Sequence, residues 1–116
     1  MQMPKDAVLL RMFFGENDRF EHRPLYEAIV MKAREMHLAG ATVLRGPMGF
    51  GANSRVHTTK LLELSADLPI VVEIVDSAEK IQTLLPFLDE TVAEGLITIE
   101  AVRVLRYRHN EKKSGQ

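Results

Sequence analysis

The sequence predicts an α+β fold in which a four-stranded antiparallel sheet carries two helices on one face. Three observations lead there. Strand-like apolar segments and two stretches of helical periodicity follow one another in the order β-α-β-β-α-β. That order fits two right-handed β-α-β crossovers around a central pair of strands. A chain of 116 residues with 46% apolar content has the size and composition of a single globular domain.

Residues 7–14 read as the first strand, apolar on both faces except at Arg11 and stopped by Gly15. A strand with two apolar faces needs cover on both. The charged residues 15–23 form a loop. Pro24 suits the first turn of a helix, along which Leu25, Ile29, Ala33 and Met36 recur at helical spacing with Tyr26 and Val30 beside them. Gly40 is placed to close this helix.

Residues 41–45 form the second strand. Residues 52–66 fit a strand extension or an arm with a short helix, and the pattern favours an arm with some strand at its far end. Residues 68–75 have strong β propensity. Asp76 followed by Glu79 matches a capping box. Ile81, Leu84, Leu85, Leu88 and Val92 then make a helical stripe interrupted by Pro86, so a bent or two-part helix is expected, ended by Gly95. Residues 96–107 alternate as a long last strand, and 108–116 read as a solvated tail. The result is one domain over residues 1–116, with its core at about 7–107, in the ferredoxin-like arrangement. With both helices on one face, the other face of the first and third strands stays apolar. A closed homo-oligomer is the expected cover.

Composition narrows the function. Fifteen basic and 16 acidic residues leave a net charge of −1, so no overall positive field recruits nucleic acid. The absence of cysteine removes disulfides, zinc–thiolate sites and thiol nucleophiles. No apolar stretch reaches the roughly 18–20 residues of a membrane span, and no signal-peptide pattern opens the chain. A cytoplasmic protein without stable membrane insertion is expected. His22, His37, His57 and His109 show no metal-ligand spacing, and no nucleophile elbow or full phosphate loop occurs. Neither a metal, a required cofactor nor a catalytic step is expected.

The stretch with the most chemical content runs from Arg45 to Arg55. Gly46, Gly49 and Gly51 relax the backbone between two strands. Backbone N–H groups in such a turn can face an anion, with Arg45 and Arg55 bracketing it. The same glycines also suit a plain hairpin.

The motifs, taken in order, resemble a known family. They are Phe14-Gly15-Glu16-x-Asp18-Arg19, Pro24-Leu25-Tyr26, Gly40-Ala41-Thr42-Val43, Arg45-Gly46-x-Met48-Gly49-Phe50-Gly51 and Asp67-Leu68-Pro69-Ile70-Val71-Val72-Glu73. Over about residues 7–106 they resemble the PII-like domain of unknown function 190, related to the nitrogen regulatory PII signalling proteins. The resemblance implies a PII-like homotrimer whose sheets face one another. It also implies adenine nucleotide (AMP, ADP or ATP) or a related small anion in clefts between subunits. A T-loop, here residues 51–66, would respond and engage an unknown target protein. In one respect the chain departs from PII proteins, which carry a Lys-containing phosphate loop before the last strand. Val92-Ala93-Glu94-Gly95-Leu96 has no lysine and only one glycine there, so the phosphate contacts of PII do not carry over and a ligand with fewer phosphates, or a different ligand, stays open.

On the family motif, Arg45, Gly46, Met48, Gly49, Phe50 and Gly51 are candidate ligand contacts. Arg103 and Arg106, near the end of the last strand, are candidate anion partners, and the sequence leaves open which of the two makes the contact. Glu16, Asp18 and Arg19 form either a wall of the same cleft or a solvated salt-bridge cluster. Glu73, a carboxylate in an apolar strand, needs a partner, and Arg11 is the candidate. A protein-interaction module without a small ligand and a small enzyme working in the cleft are the alternative functions.

Overall fold

The computed structural model describes residues 5–51, 56–58 and 67–108. Its main sheet has four strands: β1 (Asp6–Gly15), β2 (Thr42–Arg45), β3 (Pro69–Asp76) and β4 (Leu96–Arg103). All pairings are antiparallel, in the order β2-β3-β1-β4. Helices α1 (Leu25–Glu35) and α2 (Ala78–Thr91) pack on one face, so the expected β-α-β-β-α-β architecture is the one observed.

Strand alternation divides the residues between two faces. Leu10, Met12 and Phe14 of β1 and Ile70, Val72 and Ile74 of β3 meet Leu25, Ile29 and Ala33 of α1 and Ile81, Leu84 and Leu88 of α2. These twelve side chains form the buried core. Burial of each of these side chains except Ala33 stabilises by roughly 1.5–3 kcal/mol. Ile97 and Ile99 of edge strand β4 stand on the same face, opposite Met12 and Leu10, yet remain exposed. The two helices do not reach over that edge.

Several boundaries differ from expectation, each for a local reason. Helix α1 closes at His37, not Gly40: His37 takes φ 61°, its N–H donates to the Arg34 carbonyl at 3.1 Å, and Leu38 N–H donates to Ala33 at 3.0 Å. That is the paired bond pattern of a Schellman turn. Pro24 is the residue before α1 rather than inside it. Ser77, not Asp76, caps α2, its hydroxyl accepting from Lys80 N–H at 3.1 Å. Asp76 instead ends β3, 3% exposed, accepting from the N–H groups of Ala39 at 2.9 Å and Ser77 at 2.7 Å. Pro86 lies inside one unbroken α2 rather than dividing it, and the helix ends at Thr91, before Gly95. Strand β4 stops at Arg103, so Arg106 lies beyond it.

The loop after β1 is itself folded. Arg19–Phe20 pairs with Arg23–Pro24, and Glu21 and His22 at φ 51° and 62° make the tight turn between them. Phe20 meets Phe87 of α2 edge-on at 5.7 Å, which ties this hairpin to the helical layer. After β2, Met48–Gly49 pairs with His57–Thr58 at the base of the glycine loop. Most of the 51–66 arm, with Arg55, and the tail from His109 onward lie outside the described residues.

Candidate functional site

The face of the sheet away from the helices is organised in rows that follow the strand register. One row crosses all four strands as Thr42, Glu73, Arg11 and Thr98. Arg11 Nε donates to Glu73 at 2.8 Å, the expected pair, and Arg11 Nη1 reaches Glu100 at 3.3 Å. An apolar row of Leu44, Val71, Phe13 and Leu96 lies on the glycine-loop side. On the other side Val75 and Leu9 continue the floor.

Over that second end lies an open-sided cavity of about 430 Å³, matched in volume by a groove along α2 beside Ile97 but distinguished from it by its arginine and hydroxyl lining. Its lining brings together three stretches distant in sequence: 39–42 before and in β2, the sheet floor with Leu9, Arg11, Glu73 and Val75, and Val104, Arg106 and Tyr107. Two bonds place the last stretch. Val104 N–H donates to the Lys5 carbonyl at 2.7 Å, and the Tyr107 hydroxyl donates to the Ala39 carbonyl at 2.9 Å. The cavity therefore offers the Arg106 guanidinium and a threonine hydroxyl over a floor in which Leu9 and Val75 lie beside the Arg11–Glu73 ion pair. That set suits a ligand with both a flat apolar part and polar groups.

Of the two tail arginines, Arg106 lines the cavity, while Arg103 ends the β1–β4 ladder opposite Asp6. Arg103 stands at the far end of the sheet from Arg45, which pairs with Ile70 opposite Phe14. Arg106 is placed by the cavity on the open face, whereas Arg45 alternates to the helix side. Eight strand residues separate the two ends, roughly 25 Å at about 3.3 Å per residue. Within one chain the glycine loop and the tail arginines are not brought together.

At the loop end, Gly46 and Gly49 pack closely against Pro69. A Cβ at either would fall 2.9 or 3.0 Å from the Pro69 ring, and Gly46 N–H donates to the Pro69 carbonyl at 2.8 Å. A Cβ on Gly51 would meet nothing within 4 Å, and Met48 and Phe50 are exposed. Arg45 is ion-paired with Glu16 at 2.6 Å. Asp18 accepts from Gly15 N–H at 3.4 Å, and Asp67 accepts from Asn17 N–H at 2.7 Å. Burial pushes the Asp18 carboxyl above the ordinary carboxylate range; the Gly15 bond opposes this, and the charges of Asp67 and Glu94 add to it. Arg19 bonds its own hairpin, donating to the His22 carbonyl at 2.7 Å. Glu16 and Asp18 thus line the loop end, and Arg19 belongs to the neighbouring turn.

The sequence reading missed Tyr107, Thr42 and the Ala39–Gly40 turn as cavity residues. Polar residues at Thr42 and Glu73 in adjacent strands were a signal, but their alignment depends on register.

This fold is that of the PII-like proteins. The chain superposes on CPII, a nitrogen regulatory PII-like protein from Thiomonas intermedia K12, with a TM-score of 0.63 over 87% of this chain and 90% of that one. The identity is 14%, so the likeness is one of fold. In its structures CPII is bound to ADP and bicarbonate, or to ADP, AMP and bicarbonate. Family membership follows from sequence: residues 7–104 match DUF190, "Uncharacterized ACR, COG1993", and the chain belongs to that family. A UPF0166 protein of Aquifex aeolicus (strain VF5) is 42% identical over 99 residues, covering 84% of this chain and 91% of the relative. The UPF0166 protein MJ1524 of Methanocaldococcus jannaschii is 34% identical over 101 residues, covering 86% and 93%.

Proposed function

We propose that this chain is a PII-like regulator that binds an adenine nucleotide, or a related small anion, in clefts between the subunits of a homotrimer, with the 51–66 loop as the responding element. The observation that carries the reading is the cavity on the open sheet face, lined by Arg11, Thr42, Glu73 and Arg106. It lies in a fold whose relative CPII holds ADP. Arg106 is the cation best placed for a phosphate or carboxylate, and the floor of Leu9 and Val75 suits a flat base.

Coupling to the loop has a short path. Thr42 lines the cavity and Arg45 begins the glycine turn, three residues further along β2 or about 10 Å. A ligand held at Thr42 contacts the strand from which the glycine turn springs. Arg45, in register with core-facing Ile70, stands on the opposite face, so contacts that differ between two loop states would couple the sites through the β2 backbone. Such differential contact is what a ligand needs to shift a loop between states. AMP, ADP and ATP are all candidates. The proposal includes no catalytic step and a cytoplasmic setting. Among the described residues, no helix is long and apolar enough to cross a membrane.

The test is a thermal-shift titration with AMP, ADP, ATP and 2-oxoglutarate, with and without magnesium. A ligand that binds only the folded protein raises Tm as its concentration passes Kd. A saturable rise with an adenine nucleotide is expected, and Arg106→Ala should weaken it about tenfold or more, since a charge-assisted bond contributes roughly 1.5–3 kcal/mol. Release of ADP or AMP from ATP during the titration would point to an enzyme instead. A second reading, a protein-docking module without a small ligand, is favoured by Met48 and Phe50, exposed at 54% and 69% at the loop base. Absence of any shift from a well-folded oligomer would select it.

A further inference from the structure

We propose that residues 105–108 are a latch segment that controls access to the cavity once a neighbouring chain covers its open side, as the assembly proposed above implies, with the Tyr107 hydroxyl as its catch. One wall of the cavity is the 39–42 turn, another is the segment carrying Val104, Arg106 and Tyr107, and the Tyr107–Ala39 hydrogen bond of 2.9 Å joins them. The fixed side is the turn. Ala39 N–H is held by the buried carboxylate of Asp76 at 2.9 Å, and Lys80 Nζ donates to the Met36 carbonyl at 3.4 Å, so the start of α2 grips this loop.

The movable side is the tail. Val104 is anchored through its N–H to Lys5, but Leu105 is 91% exposed, and Arg106, Tyr107 and Arg108 are exposed as well. Among the described residues, no side chain other than Tyr107 ties residues 105–108 back to the fold by a hydrogen bond or ion pair. Few buried contacts and one exposed tether define a segment that opens locally far below the global unfolding free energy. When it swings about Val104, Arg106 leaves the cavity wall with it. A bound anion held by Arg106 therefore favours the closed latch.

The experiment compares the full chain with Tyr107→Phe, which keeps the ring and removes the hydroxyl. One readout needs no ligand. Trypsin cleavage after Arg106 requires the segment to leave the surface and follows the open population when closing is fast. Loss of one net hydrogen bond should raise it about fivefold, with cleavage after Arg19 as an unchanged internal control. The second readout is stopped-flow binding of the fluorescent nucleotide mant-ADP, whose choice rests on the function proposed above. Association and dissociation should both speed up about fivefold, leaving Kd within about twofold, because the latch is closed in free and bound protein alike. Equal trypsin rates at Arg106 in the two proteins would overturn the latch. So would a weaker Kd with unchanged association, which makes Tyr107 a ligand contact. If mant-ADP fails to bind either protein, the nucleotide reading falls, and trypsin alone decides on the latch.

Discussion

Asp18 shows how one side chain's surroundings set a pH dependence. Burial raises its carboxyl above the ordinary value, and Asp67 and Glu94 reinforce the shift. Between the ordinary and the raised value, the folded chain holds a proton that the unfolded chain has lost. Stability therefore falls as pH rises through that window and stays lower above it. Asp18→Asn keeps a carbonyl to accept the Gly15 N–H and removes the charge. Urea unfolding from pH 3.5 to 7 should show the variant more stable than the parent at neutral pH, the gap closing towards about pH 4. A gap of opposite sign at pH 7 would mean that the ionised carboxylate has a compensating partner. Gly95 is the other residue fixed by its surroundings. Its φ of 153° and the Phe13 carbonyl 2.5 Å from any added Cβ leave room only for hydrogen, which is why the turn into β4 carries glycine.

At the scale of elements, α2 carries the clearest internal conflict. Pro86 cannot donate to the Gln82 carbonyl, and its ring crowds the preceding turn, yet the helix runs unbroken from Ala78 to Thr91. Its anchors explain this: Ile81, Leu84 and Leu88 are buried on both sides of the proline, and Ser77 caps the start. Tertiary packing overrides local propensity here. Pro86→Ala should stabilise the protein by about 1 kcal/mol or more, read as a higher urea midpoint at unchanged m. A lower midpoint would show that the ring is needed in the open groove that it lines together with Ile97. This conflict also shows what the sequence could convey. Periodicity located both helices and all four strands, and the Arg11–Glu73 pair followed from two charges in apolar strands. The exact ends did not follow, because they depend on backbone geometry. A histidine adopts the left-handed turn that a glycine three residues later was expected to supply. Asp76 is drawn away from capping by the N–H of Ala39, 37 residues back in the chain. Glu100 and the cavity wall at Tyr107 depend on register and on a bond spanning 68 residues, which no local pattern encodes.

For the whole molecule, the unanswered physical demand is the open sheet face. Leu44, Val71, Phe13 and Leu96 form an apolar row across all four strands, with Leu44 and Leu96 exposed at its ends. Next to it runs a row centred on the Arg11–Glu73 pair. Apolar surface in this arrangement favours association, and a polar row within it sets register by leaving charges unpaired in any slipped docking. Assembly as a homotrimer through this face would cover the row and close the open side of the cavity. Sedimentation velocity at micromolar concentration should then give about three times the 13.1 kDa chain mass. Leu44→Lys, which leaves the helix-side core untouched, should shift the distribution towards monomer while the fold, followed by circular dichroism, is retained. The same variant separates two forms of the nucleotide proposal. If monomerisation abolishes the thermal shift with ADP, the binding site is a cleft completed by a neighbouring chain, and Arg45 and Arg106 can serve one ligand from different subunits. If binding persists in the monomer, the cavity beneath Tyr107 is sufficient alone, and Arg45, which its register places on the helix side of the sheet, serves a task separate from that of Arg106.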